Sequence, residues 1–280
     1  RYTSIIAELG LDYDINGELD YVRNAMLHAA GRGYAASRGE YLNALILAKY
    51  LGFDFIDAEN VIFFKDNGTL DEEKTNAELS AELDKHKYAV IPGFYGGTPN
   101  GTVKTFSRGG SDITGALAAA ALDADVYENW TDVSGILMAD PRIVDNPQAI
   151  PEVTYDELRE LSYSGAQVLH EDAIFPVREK NIPLNIRNTN APNDPGTMIQ
   201  ESFDTPVDPD RFITGITGKK DFSIISISAE FSSASGTSAA ETKSPFSHLE
   251  PFSGGGSVTI KRCGTGAPSP NAVHSSNAAS

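Results

Sequence analysis

The stretch from Thr105 to Leu122 restricts the fold of this chain more than any other. A β-prone run, Gly101 to Phe106, leads through Ser107 and Arg108 into Gly109-Gly110. Ser111 and Asp112 then open an alanine-rich apolar helix that reaches Leu122. Strand, glycine turn and helix in that order make a βα unit. Ser111 or Asp112 is expected to cap the helix by accepting a hydrogen bond from a free N–H of its first turn. That turn carries partial positive charge and favours an anion. Gly109 and Gly110 let a ligand approach the backbone, and Arg108 adds a planar fork of donors suited to a carboxylate or phosphate. Local chemistry alone fits an anion site and an ordinary βα turn with a surface arginine equally well.

The flanking sequence sets the class of fold. Leu19 to Ala30 has helical spacing, and Gly31-Arg32-Gly33 is expected to stop it. Ser37 and Glu40 match a capping box opening a second helix, Tyr41 to Leu51. Glu40 therefore reads either as that reciprocal cap or as a carboxylate aimed at a ligand. Residues 53–58 and 61–64 look like short strands, and 71–87 like a charged, solvated helix with His86 on its surface. Tyr88 to Pro92 reads as a buried parallel strand, followed by a glycine-dense loop, Gly93 to Gly101, where open α/β sheets hold ligands. Strand Val126 to Trp130 runs into the polar turn Thr131-Asp132. A helix over 155–161, the segment Gly165 to His170 leading into another helix through Phe175, and a late strand, 183–188, follow. This alternation predicts an α/β fold with a mainly parallel sheet joined by right-handed crossovers.

A second unit is expected from about Phe212, beginning with two strands around Gly218-Lys219-Lys220-Asp221. Beyond Ala229 more than half of the residues are Ser, Ala, Gly or Pro, too little apolar surface to offset chain entropy except around Val258-Thr259-Ile260. Cys263, His248 and His274 lie in that tail, and no metal is expected there. One cysteine excludes an internal disulfide framework and suits a reducing cytoplasm. A net charge of −17 argues against nucleic-acid binding, although a local Arg/Lys cluster can still attract a small anion. No apolar run is long enough to span a membrane, and the first residues lack a signal-peptide pattern.

Four separated motifs resemble one family. Phe106-Ser107-Arg108-Gly109-Gly110-Ser111-Asp112, Trp130-Thr131-Asp132-Val133-Ser134-Gly135-Ile136, Ala139-Asp140-Pro141-Arg142 and Gly165-Ala166-Gln167-Val168-Leu169-His170 are, in order and spacing, similar to aspartate kinases. Ser37-Arg38-Gly39-Glu40 fits the same family, and the resemblance covers about residues 2–227. It implies a three-layer α/β/α sandwich with a mainly parallel sheet, the amino-acid-kinase fold, over residues 1–205, then a partial ACT-like regulatory domain over 206–280. It implies transfer of the ATP γ-phosphate to the side-chain carboxylate of L-aspartate, the opening step toward lysine, threonine and methionine. In its roles Arg108 clamps the substrate α-carboxylate and Glu40 pairs with its ammonium group. Ser111, Asp112, Gly109, Gly110 and Phe94 line the aspartate site. Thr131 and Asp132 meet the adenosine part of ATP, Arg142 meets the phosphates, and Mg²⁺ travels with the nucleotide. A cytoplasmic homo-oligomer assembled through the regulatory domain is implied as well.

Three departures bear on these expectations. The family's opening strand and Lys-Phe-Gly-Gly loop have no counterpart. Losing one preorganised donor to the transferred phosphate costs about a hundred- to a thousandfold in rate, so weak or absent turnover by this chain is expected. Leu137 and Gln167 stand where many relatives place a tyrosine and a lysine beside the nucleotide, while Val168 keeps its backbone contact. The ACT pattern lapses after about Ile227. Two alternatives remain at this point: another member of the fold, such as a glutamate or acetylglutamate kinase, and a non-catalytic assembly subunit.

Overall fold

The computed structural model describes residues 1–28, 31–163, 171–203, 213–217, 223–229 and 256–262, the last two segments as backbone only. They divide into two units, Arg1–Thr217 and Gly218–Ser280.

In the first unit, α1 (Tyr2–Glu8) and α2 (Asn16–Leu27) precede a long helix α3 (Gly31–Leu51). Gly31 and Gly33 do not end a helix; they lie inside the start of α3. Gly33 is tolerated there because a Cβ would sit 2.4 Å from the carbonyl oxygen of Val103, so its absence lets α3 press onto a neighbouring strand. The capping box is absent for the same reason: Ser37 is in the helix interior, and its hydroxyl donates back to the Tyr34 carbonyl at 2.8 Å.

β1 (Asp54–Phe55) pairs in parallel with β2 (Ala89–Val90). Between them, Ala58–Asn60 form a 3₁₀ turn capped by Asp57, and the stretch expected as a second strand, 61–64, makes only isolated bridges at Phe63 and Phe64. α4 (Glu72–Leu83) has Asp71 as its cap. The glycine-dense segment after β2 is not all loop: β3 (Tyr95–Gly97) pairs antiparallel with β4 (Val103–Thr105). Gly96 and Gly97 are required there, since a Cβ on either would lie 2.4 Å from a carbonyl oxygen of Ile62 or Glu59.

α5 (Gly110–Ala121) follows and leads to β5 (Tyr127–Thr131). A hairpin of β6 (Ile136–Leu137) and β7 (Ala149–Ile150), then β8 (Glu152–Thr154), α6 (Tyr155–Tyr163), α7 (Glu171–Glu179), β9 (Leu184–Asn188) and β10 (Thr197–Gln200) complete the unit. The largest sheet has the order β5-β9-β10-β8, with β5/β9 and β10/β8 parallel and β9/β10 antiparallel. The antiparallel step comes from β10, a strand that the sequence reading did not assign.

α5 joins two apolar cores. Ile113 and Leu117 pack with Leu42, Leu45, Leu79 and Tyr95. Ala116 and Ala119, from the same helix, pack against Val177 of α7 and Ile182. The alanine run is thus explained by close helix packing rather than propensity alone. A third cluster, including Ile150, Val153, Leu158, Leu184 and Ile199, lies under the large sheet.

In the second unit β11 (Ser223–Ala229) pairs antiparallel over seven residues with β12 (Gly256–Arg262). Residues 213–217 hold no strand, and the Gly218–Asp221 turn lies outside the described residues. β12 falls in the tail expected to lack structure, around Val258-Thr259-Ile260. Cys263, His248 and His274 lie outside the described residues. Among the described residues no helix is long and apolar enough to cross a membrane.

Leu117 is 2 % exposed, so Leu117→Ala should lower unfolding free energy by about 2–5 kcal/mol in urea titrations. A second expectation concerns pH. His86 sits between Asp54 Oδ2 (2.9 Å) and Glu82 Oε1 (3.3 Å), and these hydrogen bonds, Asp54's foremost, raise its pKa above 6.5. Its stabilising contribution is complete below the unfolded-state pKa and is lost as pH rises through the raised folded value. His86→Gln should remove that loss, read as equal stability of the variant at about pH 6 and about pH 8 where the unaltered chain weakens.

Candidate functional site

The N-terminus of α5 is built by three close approaches. Gly109, in left-handed conformation (φ 59°), precedes the helix as its N-cap, and no side chain caps it. Ser111 and Asp112 are therefore in the first turn and do not serve as caps. Gly110 lies between Phe94 and Phe106: a Cβ there would be 2.6 Å from Phe94 Cβ and 2.8 Å from Phe106 Cβ. Gly93 similarly admits Ser111, whose Cα lies 3.0 Å from where a Cβ would be.

Phe94 has a positive φ of 63°, a rare conformation for an aromatic residue. It is held by its own backbone. Its N–H donates to Thr114 Oγ1 (3.1 Å), its carbonyl accepts from the Phe106 N–H (2.9 Å), and Thr114 Oγ1 donates to the Gly110 carbonyl (2.9 Å). Strained residues that the surroundings over-determine collect at ligand sites.

Asp112 is tied to β5. Its Oδ1 accepts from Asn129 Nδ2 at 2.9 Å, and its backbone carbonyl accepts from the Tyr127 hydroxyl at 3.1 Å. Burial, ahead of the nearby Asp112 charge, pushes the Tyr127 hydroxyl up to about 12, so it stays protonated and donates. Thr131 and Asp132 end the same strand; Thr131's carbonyl accepts from the Thr189 N–H at 2.8 Å and its hydroxyl donates to Asp132.

A second charged cluster adjoins Phe94 through Tyr95. The buried guanidinium of Arg38 lies 4.2, 4.5 and 5.2 Å from the ring centres of Tyr34, Tyr41 and Tyr95. Its Nη2 donates to Ser37 Oγ (2.8 Å) and is 3.9 Å from Glu59 Oε2. The Tyr95 hydroxyl donates to Asp57 (2.7 Å). Burial first, then Asp57, raises the Glu59 carboxyl pKa, with Arg38 opposing. Glu40 stands two residues beyond Arg38 on α3, half-buried.

Contacts therefore unite Phe94, Gly110, Ser111 and Asp112. They do not unite Glu40 or Arg108 with them: among the described residues neither side chain has a hydrogen bond or ion pair, and Arg108 is exposed. On the expected nucleotide side Arg142 is exposed and closed by Asp140, with Nη2 2.6 Å from Oδ2. Those bonds hold the Asp140 carboxyl below the usual carboxylate range. Leu137 is exposed on β6. Gln167, Val168 and His170 lie outside the described residues. A cavity of about 520 Å³ borders Phe64, Phe106, Leu117 and Phe175, but its lining includes none of Glu40, Arg108 and Asp112.

Against known proteins, the amino acid kinase family model matches residues 3–188. The chain belongs to the amino acid kinase family. Aspartokinase 3 of Bacillus subtilis is 40 % identical over 199 residues, 68 % of this chain and 43 % of that protein. The crystal structure of Clostridium acetobutylicum aspartate kinase shares 53 % identity and a TM-score of 0.72, covering 82 % of this chain and 51 % of that one. Escherichia coli aspartokinase III in complex with aspartate and ADP shares 26 % identity with TM-score 0.63, over 73 % of this chain and 52 % of that one. The chain spans about half the length of the relatives it matches. These neighbours bear out the α/β amino-acid-kinase fold expected from the motifs.

Tyr127, Asn129 and Thr114 were not singled out in the sequence, and Arg38 entered only as part of Ser37-Arg38-Gly39-Glu40. A signal for Asn129 existed: an amide inside a strand whose alternate residues face a helix is disfavoured unless a partner waits for it.

Gly110→Ala should destabilise the chain, because Phe94 and Phe106 must both give way. Gly17→Ala, in α2 with nothing within 4 Å of the added Cβ, should be neutral or stabilising. Parallel thermal melts of the two variants check this contrast.

Proposed function

We propose that this amino acid kinase is an aspartate kinase, transferring the ATP γ-phosphate to the β-carboxylate of L-aspartate. The observation that carries the reading is the β4–Gly109–α5 junction. An exposed arginine without a partner among the described residues stands beside an uncapped helix N-terminus whose first turn carries a half-buried carboxylate. Such a junction suits a small zwitterion with acidic groups. The similarity to named aspartokinases supports it.

In this reading Arg108 takes the α-carboxylate in a bidentate clamp. Glu40 and Asp112 offer negative charge to the ammonium group. Phe94, Ser111 and the backbone of Gly109-Gly110 shape the pocket. The substrate β-carboxyl has an ordinary pKa of about 3.9, so the nucleophile is already ionised near neutrality and no general base is needed. Catalysis then consists of bringing two anions together in line and offsetting their charge. Thr131 and Asp132 hold the adenosine part. Arg142 exchanges Asp140 for a phosphate. Mg²⁺ arrives with ATP on the phosphate oxygens. Leu137, Gln167 and Val168 complete the nucleotide side. Residues 1–205 form the catalytic domain, and 206–280 belong to an ACT-like regulatory part through which the whole protein assembles as a cytoplasmic homo-oligomer.

Calorimetric titration of the chain with L-aspartate, L-glutamate and N-acetyl-L-glutamate, each with Mg-ATP, tests the reading. Aspartate should bind and the other two should not. Arg108→Ala should weaken aspartate binding roughly ten- to a hundredfold, the loss of charge-assisted hydrogen bonds of about 1.5–3 kcal/mol. Preference for glutamate, or an Arg108→Ala variant that binds aspartate unchanged, would refute it.

A further inference from the structure

We infer that Asn129 is a positioning residue for Asp112, fixing one oxygen of its carboxylate so that the other is presented to the substrate ammonium group. The inference rests on the aspartate-site reading above and adds a residue that none of the motifs contains.

Three groups close a loop of hydrogen bonds. Asn129 Nδ2 donates to Asp112 Oδ1 at 2.9 Å and to the Tyr127 hydroxyl at 3.2 Å. The Tyr127 hydroxyl donates in turn to the Asp112 backbone carbonyl at 3.1 Å. The donor pattern has one solution. An ionised carboxylate only accepts, so the amide must turn its nitrogen to Asp112, and the phenol, receiving one bond, gives its own proton to the carbonyl. Asp112 is thus gripped at side chain and backbone together. Its Oδ2 has no partner among the described residues.

The sequence accepts two local costs to make this loop. Asn129 is 9 % exposed in the middle of a strand, where an amide without partners would be strongly disfavoured. Gly115 stands inside α5 just before its alanine run, where glycine is a poor helix former. A Cβ at Gly115 would lie 2.5 Å from the Tyr127 hydroxyl, so the glycine makes room for the phenol beneath the helix. Packing alone does not explain Asn129, because an apolar residue there would fill the same space without polar atoms.

β5 is also a stiff reference. Its five residues are paired with β9 from Tyr127↔Leu184 to Thr131↔Asn188. Tyr127, Asn129 and Thr131 alternate onto one face. Asp112 is therefore indexed to the strand rather than only to its own helix turn. A carboxylate on a helix first turn otherwise has rotamer freedom and free backbone N–H groups to fold back on.

A purely structural staple between α5 and β5 would have the same bonds, so the test reads the ligand. Asn129→Ser removes the amide from the full chain. L-aspartate and Mg-ATP affinities are measured by calorimetry, and the Asn129 side-chain amide signals of the unaltered chain are followed by NMR during aspartate titration. The expected result is aspartate binding weakened about tenfold or more with Mg-ATP affinity changed less than threefold, and Asn129 amide signals that shift along the aspartate isotherm. Aspartate affinity within threefold of the unaltered chain, or equal losses for both ligands, overturns the inference. If Asn129→Ser does not fold, the NMR arm decides alone: amide signals unmoved at saturating aspartate overturn it. An unaltered chain that binds no aspartate overturns the site reading itself, and the inference with it.

Discussion

Everything at the centre of the first unit depends on how closely backbones can approach around α5. Gly110 has no room for a side chain between Phe94 and Phe106, Gly93 none beside Ser111, and Gly115 none above Tyr127. These contacts seat a single helix on three neighbours at once. The same helix sends Ile113 and Leu117 into one core and Ala116 and Ala119 into another. Small residues on one helix therefore set both the packing distance and the position of the first turn. Dense interiors transmit such constraints because few voids exist to absorb a shift.

That constraint explains why Phe94 holds a left-handed backbone. Its conformation costs of order 1–3 kcal/mol in isolation. The Thr114 hydroxyl and the Phe106 N–H bond its two backbone polar groups, and Tyr95, the next residue, is fully buried with its hydroxyl on Asp57. The Arg38 cluster lies on the other side of the Tyr95 ring. An arginine buried among three aromatic faces, with a carboxylate only at 3.9 Å, owes more to cation–π contact than to an ion pair. α3 is thereby fixed against the 3₁₀ turn and β3, and Glu40 is carried on that fixed helix.

The sequence disclosed the parts with strong local chemistry. The βα unit at 103–121, the strand before Thr131 and the helix after Asp71 are where periodicity and turn residues put them. Several of the differences share one cause. Gly33 and the Gly96-Gly97 pair were read by local propensity as a stop and a loop, whereas each answers to a backbone distant in sequence: Val103, Ile62 and Glu59. A glycine that relieves a tertiary clash looks like a glycine that makes a turn until its neighbour is known. The motif of the candidate site, Arg108 to Asp112, was legible, but the groups that hold Asp112 were not. Tyr127 and Asn129 carry ordinary strand positions and gain meaning only when α5 is laid across them.

The missing cap on α5 is the other side of that arrangement. Ser111 and Asp112 have the side chains that usually cap a helix, yet the N-cap falls at a left-handed Gly109, two residues before the one and three before the other. Gly109 can adopt that backbone at little cost, and Gly110 must follow it because nothing larger fits beside Phe94. The early start moves both polar residues into the first turn. There Asp112 finds a buried amide, and among the described residues no side chain caps the helix end. Two glycines thus convert a self-satisfied helix terminus into one whose charge is turned outward, beside an arginine that has no partner among the described residues.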